Sequence, residues 1–568
     1  MGAGDVAESG RGVVGERGVV AAGHAAEAEA GVQMLAAGGN AVDALVAAAF
    51  TAFVVEPASC GVGGYGRLAL FHAESRRFVT IDHYVRAPRL ARPDMFEVDP
   101  GGAMMYYGWP RVVGRRNEWG HLAPAVPGAV AGLCAAQERY GRLSLAQALE
   151  PAIAAAEDGV PVTWNLVLAI SDRLEEIRAL PHAADFLLRD GAPLQAPGLE
   201  GGGDRLDFSG LAGTLRRIAR QGAAGFYTGS VAEAIEREVT ENGGILSAAD
   251  LAGYRPVIVD ERPAAYRGHA YVTARDPLGY EALNILERFD LDRYGPDGVE
   301  FRHLVAEAFG HAFADNMAHY GDPDFARSPV EGLASAAFAA ERAGQIRLDR
   351  AAPRPVAPGD PWPHEPEATT GPDPVGLSSG GVSGTSQVAA ADREGNVAAL
   401  ITSLSNAFGS LVLVPGTGIF LNDAMQNFDP RPERANGIGP GKMPIFAAPA
   451  LVAARGDEAV LAAGGSGGYR IMSGVLHTVL HVLDFGLELQ AAVDAPRIHC
   501  QGEETFVDAR IPASVRARLA ELGHDVVAQQ DVPGTQYFGR VSAVGRDPRS
   551  GFLRAAAGPL WQSAVAAL

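Results

Sequence analysis

The stretch GGVSGTSQVAAADREGNVAALITSLSNAFGS, Gly380 to Ser410, decides how this chain is read. Thr385 to Asp392 and Asn396 to Leu404 are runs of small and β-branched residues, and Arg393-Glu394-Gly395 between them fits a hairpin loop with glycine at its left-handed position. Pairing Asp392 with Asn396 and counting outward sets Ser403 directly opposite Thr385 on one face of the ribbon. A hydroxyl meets a hydroxyl.

Upstream, Ala352 to Gly384 is rich in proline and glycine and reads as an exposed, mobile linker. A threonine placed where such a linker enters a strand suggests specific chemistry. If the bond between Gly384 and Thr385 were cut, Thr385 would carry a hydroxyl nucleophile and a free α-amine to serve as its base. The reference pKa of that amine, about 7.7 to 8.0, suits the work. From spacing alone, an ordinary hairpin following a linker stays open as the other reading.

The same stretch, with FGS at Phe408–Ser410, PGTGIFLND at Pro415–Asp423, GGSGGYRI at Gly464–Ile471 and VVEPASCGVGG at Val54–Gly64, resembles the γ-glutamyltransferase family of N-terminal-nucleophile hydrolases. The resemblance covers nearly the whole chain. It implies an α/β fold, the four-layer αββα sandwich, built as one compact unit from a large segment, 1–384, and a small segment, 385–568. It implies a zymogen that cuts itself before Thr385 and an amidohydrolase or acyltransferase that needs no cofactor and no metal. Ser403 would orient the Thr385 hydroxyl, and Gly467-Gly468 would present backbone N–H groups as an oxyanion hole. Without the family, those two glycines read equally well as a tight turn between a strand at Ala459–Ala463 and a helix starting near Arg470.

The acyl pocket departs from the family pattern. Tyr84 stands where the family has the arginine that clamps the substrate α-carboxylate, Asn427 where it has an aspartate for the α-ammonium, Ser405 where it has an asparagine, and Phe446-Ala447 where it has a serine pair. Arg86, two residues beyond Tyr84, either reaches the same pocket or is a surface charge. Removing a buried charge's partner costs about 3 to 5 kcal/mol. A small-molecule amide with a short carboxylated acyl group, such as oxamate, is therefore expected as substrate in preference to glutathione or another γ-glutamyl donor. The alternatives are conventional γ-glutamyl hydrolysis or transfer and an uncleaved, non-catalytic member of the family.

Composition narrows the class. Apolar residues make up 47% of 568, enough for a large core, and glycine (71) with proline (37) stays below the share at which disorder is the default. A net charge of −20 argues against nucleic acid or an anionic membrane as partner. Cys60, Cys134 and Cys500 are odd in number and at no metal-like spacing, which argues against a disulfide framework. The N-terminus has no apolar signal region and the longest apolar run, near Ala41–Val55, is too short to span a bilayer. A cytoplasmic location follows as the expectation, with a homodimer or a heterodimer of the processed segments as the assembly.

Elsewhere, Ala25–Ala37 ends at Gly38-Gly39, and Asn40 caps a helix from Ala41 that is apolar nearly all round. Gly61–Gly66 matches the dinucleotide fingerprint, but a helix precedes it and a strand, Arg67–Phe71, follows; this is the reverse of what a nucleotide site needs. Phe301–Phe325 reads as one long helix, on which His303, His311 and His319 drift around the axis and share no metal-binding face.

Overall fold

The structure, a computed structural model, describes all residues except 1–5, 8–11, 106–107, 200, 326, 367–383, 447, 533–534, 536, 548 and 560–561. Ala447 and the second half of the linker thus lie outside the described residues.

The hairpin at Thr385 forms with the expected register. Strands Gly384–Asp392 and Val397–Ser405 pair antiparallel, Thr385 faces Ser403, and Gly395 takes the left-handed φ of 96°. Asp392 closes the loop by accepting from the Asn396 backbone N–H at 3.0 Å. Both strands are buried along their length, so alternate residues serve two different cores. Val388, Ala390, Ala398 and Leu400 pack with one, and Ala389, Ala391, Ala399 and Ile401 with the other.

These strands sit at the centre of an eight-stranded antiparallel sheet, ordered Val6–Ala7, Ala564–Ala567, Gly18–Ala22, Gly384–Asp392, Val397–Ser405, Tyr65–His72, Arg77–His83, Val257–Glu261. A seven-stranded antiparallel sheet stacks on it, with Glu458–Ser466 lying across the hairpin. Helices Ala25–Ala36, Ala41–Val55, Ala129–Tyr140 and Leu145–Asp158 cover the outer face of the first sheet, and Pro277–Leu286, Val299–His319 and Arg470–Leu483 cover the second. The result is an αββα sandwich in one unit. Segments 1–384 and 385–568 share both sheets.

The helix from Ala41 is buried on all sides and starts with a capping box, in which the Asn40 side chain accepts from Asp43 N and the Asp43 carboxylate accepts from Asn40 N. Two expectations need correction. The long helix spans Val299–His319 and stops short of Phe325 because Gly321 and Pro323 follow it, which leaves Asp322 free to turn toward the loop at Met443. The first half of the linker is packed rather than exposed: Val356 and Trp362 are buried, and Arg354 pairs with the buried Glu307 at 2.5 Å. All three cysteines are free and buried. Among the described residues no helix is long and apolar enough to cross a membrane.

Candidate active site

Thr385 is buried at the second register position of the central hairpin, and its Oγ1 lies 3.1 Å from Ser403 Oγ. Ser403 Oγ donates to the Gly384 carbonyl at 2.6 Å and accepts from the Ser405 backbone N–H at 2.9 Å. The ladder shifts register between Gly384 and Thr385, so the bond expected to be cut sits at an irregularity in the strand. Ser405 holds a φ of 79°, uncommon for a residue with a side chain.

The loop Gly61–Gly66 explains its glycines by packing. A Cβ on Gly64 would stand 2.4 Å from the Ser403 carbonyl oxygen, and one on Gly66 2.2 Å from that of Ile401. The helix-before, strand-after order is as read from the sequence, and the loop backs the Thr385 hairpin. Asn422 ties this region together. Its amide donates to Gly63 O (2.8 Å) and Ala125 O (3.0 Å), while its Oδ1 accepts from Ala125 N and Ala424 N.

Behind the strand lies a charged brace that sequence reading missed. Arg540 donates to the Thr385 carbonyl at 3.0 Å and to Ser466 Oγ at 2.8 Å, and pairs with Glu56 at 3.6 Å. Glu56 accepts from Ser386 Oγ. Burial, and then the charge of Glu56, push the Glu27 carboxyl well above the usual range, so Glu27 keeps its proton. Glu56 stands within the VVEP motif but was not singled out there; Arg540 had no local signal, because its partner is 155 positions away.

A small cavity opens from Thr385, lined by Ser403, Tyr65, Tyr84, Asn427, Phe446 and Gly468 among others. It measures about 20 Å³, room for a water or so. Tyr84 stacks on Phe446 at 4.5 Å between centroids and meets Tyr65 edge-on at 4.8 Å. Burial first, and for Tyr84 the neighbouring Tyr65 next, push both phenols up, so both stay protonated. Tyr84 OH accepts from Asn427 Nδ2 at 2.6 Å and donates to Ile445 O at 3.2 Å; Tyr65 OH bonds Ser405 Oγ at 2.6 Å. Asn427 Oδ1 is buried with no hydrogen-bond partner among the described residues.

The structure therefore brings Thr385, Ser403, Ser405, Tyr84, Asn427, Phe446 and Gly468 together. Gly467 (φ 123°) and Gly468 (φ 60°) form the turn from Glu458–Ser466 into the helix Arg470–Leu483, and Gly468 lines the cavity. Arg86 is not among the described residues that line the cavity. Its guanidinium lies 3.7 Å from Asp322 and donates to Gly441 O, so of the two places left open for it, the structure takes the one outside the pocket. Arg67 is the cation beneath the pocket, where it pairs with Asp82 at 3.3 Å and lies under the rings of Phe446 and Tyr84.

Ligand atoms of His303, Glu307 and His524 lie within 4.8 Å of one another. Each already has protein partners: Glu307 has Arg354 and Ala352 N, and His303 has Arg347 O and His524. His303 thus works as a structural histidine, as the sequence suggested for that helix.

A threonine at the start of a central strand, beneath a second stacked sheet and facing a glycine turn, defines an N-terminal-nucleophile hydrolase. Residues 27–568 match the gamma-glutamyltranspeptidase family, and the chain belongs to that family. It is 36% identical to the acylase ACY 1 proenzyme of Pseudomonas sp. (strain V22) over 92% of this chain and 89% of that protein. It is 33% identical to the glutathione hydrolase proenzyme of Bacillus subtilis (strain 168) over 90% and 85%. Its structure resembles that of the cephalosporin acylase from Bacillus halodurans, with a TM-score of 0.83 and 29% identity over 98% of this chain and 97% of that one. The chain is a hydrolase of this family.

Proposed function

We propose that the chain cuts itself between Gly384 and Thr385 and then hydrolyses amides whose acyl group is not γ-glutamyl. Thr385 attacks the amide carbonyl, its freed α-amine carries the proton to the departing amine, and Gly467-Gly468 hold the oxyanion. Water then resolves the acyl-enzyme. The observation that carries the specificity is the cavity itself, in which Thr385 is joined to Asn427 with no charged side chain among the described lining residues.

A γ-glutamyl head group brings a carboxylate and an ammonium that both need partners in a dry site. Tyr84 offers one hydroxyl, already engaged, and Asn427 matches no charge. A short carboxylated acyl group of the oxamate kind needs a cation, and Arg86 would have to leave Asp322 to supply it. The unpaired Asn427 Oδ1 favours a neutral acyl group that carries an N–H or O–H donor, with Tyr65, Tyr84 and Phe446 against its apolar part. That the Pseudomonas relative is named an acylase supports this direction.

The test is a rate panel of glutathione, oxamate, lactamide, mandelamide and phenylacetamide. Mandelamide should exceed phenylacetamide, which lacks the hydroxyl, by about tenfold in kcat/KM, and Asn427→Leu should erase that preference. Glutathione or oxamate turning over faster than every hydroxy amide would overturn the pocket argument. Thr385→Ala should leave one full-length chain with no hydrolysis of any of them; a variant that still yields a fragment beginning at residue 385 removes Thr385 from the mechanism.

A further inference from the structure

Self-cleavage poses a problem that turnover does not. The α-amine that serves as base in turnover is still part of the Gly384–Thr385 amide before the cut, so the Thr385 hydroxyl proton needs another acceptor. The lining residues of the cavity include no carboxylate, imidazole or lysine among those described. An alkoxide or a charged tetrahedral oxygen formed there would be buried at high cost.

The hydrogen bonds around Ser403 supply the route. A hydroxyl has one proton to give and two lone pairs to receive with. The Gly384 carbonyl can only accept, so the one Ser403 proton points at it across 2.6 Å. The Ser405 backbone N–H can only donate and occupies one lone pair at 2.9 Å. Thr385 Oγ1, 3.1 Å away, is therefore the donor in its contact with Ser403. The proton chain runs in one direction, from the nucleophile, through Ser403, to the carbonyl that the nucleophile attacks.

We propose that Ser403 Oγ is the proton relay of self-cleavage, a role that rests on Thr385 being the residue that cuts. As Thr385 Oγ1 bonds to the Gly384 carbonyl carbon, its proton passes to Ser403 Oγ and the Ser403 proton passes to the carbonyl oxygen. The product is a neutral five-membered cyclic intermediate, and no net charge has entered the site. Breaking the C–N bond returns the carbonyl, and the proton carried by its oxygen goes to the departing nitrogen. Amide and hydroxyl have become ester and free α-amine. Water then hydrolyses the ester, releases the Gly384 carboxylate and restores the Thr385 hydroxyl. With Gly384 gone, the Ser403 proton has lost its acceptor and turns to Thr385 Oγ1, so the same serine orients the nucleophile in turnover.

The fold holds this arrangement from three sides. The Ser405 N–H holds Ser403 Oγ at 2.9 Å, Arg540 fixes the Thr385 carbonyl, and Gly384 has Ala58 O 2.6 Å from where a Cβ would stand.

The experiment follows conversion of newly synthesised full-length chain into fragments by pulse-chase and mass spectrometry, for wild type, Ser403→Ala and Ser403→Thr. Wild type should cut at a rate that is flat from pH 6 to pH 9, since no group of the relay titrates there, and the rate should bend downward non-linearly in mixed H2O/D2O as two protons move together. Ser403→Ala should cut at least a hundredfold more slowly, with Ser403→Thr restoring the rate. A Ser403→Ala chain that cuts within threefold of wild type, or a wild-type rate that climbs with one ionisation, overturns the relay while leaving Thr385 as the nucleophile. Should Ser403→Ala misfold, the pH profile, the isotope curve and the threonine variant decide. A wild-type chain that never yields a fragment starting at Thr385 instead overturns the reading on which the relay rests.

Discussion

At the scale of single residues, burial sets the chemistry. Gly384 has no space for a side chain, because a Cβ would stand 2.6 Å from Ala58 O and 3.1 Å from Asn406 O. Gly384→Ala should therefore displace the scissile carbonyl and slow self-cleavage about tenfold or more, with little change in the hydrolysis rate of whatever enzyme has been cut, because Gly384 is then a free C-terminus. Fragment yield and rate per mole of cut enzyme separate the two. His311 shows the same logic away from the site. It is buried, both ring nitrogens lack partners among the described residues, and burial first, with Arg342 and Arg354 after it, lowers its pKa to about 3. The unfolded histidine titrates near 6.5, so between those values the unfolded chain binds one more proton and stability falls as pH falls, by about 1.4 kcal/mol per pH unit. His311→Leu should thus lose about 2 kcal/mol less than wild type between pH 7 and pH 5. Urea midpoints at the two pH values read this directly; parallel losses would contradict it.

At the scale of elements, the site depends on short segments pinned to one another by side-chain amides. Asn422 satisfies two carbonyls and two N–H groups drawn from the Gly63 loop, the Ala125 segment and its own chain, all buried. Asn422→Ala leaves those groups unpaired and should cost about 3 kcal/mol. It should also lower kcat before it lowers the amount of folded protein, since Ala125 and Gly63 stand beside the nucleophile hairpin. Thermal unfolding and rates on the same sample check both; a variant as stable and active as wild type would remove Asn422 from this role. The helix Val299–His319 illustrates why element ends were harder to read than element cores. The stop is made by Gly321, Pro323 and the contact of Asp322 with Met443 N at 2.7 Å. Only the last of these was hidden from the sequence.

At the scale of the whole molecule, the nucleophile strand lies between Gly18–Ala22 and Val397–Ser405, and Tyr65–His72 flanks the other side of the hairpin. Cutting before Thr385 therefore severs a chain whose two segments alternate within one sheet. We expect the fragments 1–384 and 385–568 to stay in one particle after cleavage, because separating them would open ladder hydrogen bonds along buried strands and expose both cores. Gel filtration of the cut protein should give a single peak that holds both fragments in equal amounts, and only denaturant should part them. Elution of a free small fragment from native protein would refute the interleaving.

The hairpin register and the buried helix from Ala41 were legible in the sequence, because each is written in near-neighbour pattern: alternation in the strands, a cap and an apolar run in the helix, glycine at a loop's left-handed position. The family was legible through motifs spread along the chain. The departures at Tyr84, Asn427 and Phe446 were legible too, as residue types. What they build was not. The stack of Tyr84 on Phe446, the unpaired Asn427 Oδ1, the capture of Arg86 by Asp322 and the grip of Arg540 on the Thr385 carbonyl join positions far apart in the chain. No local pattern encodes such pairs. Burial decides them, since a charge or an amide removed from water takes whichever partner the packing leaves within reach.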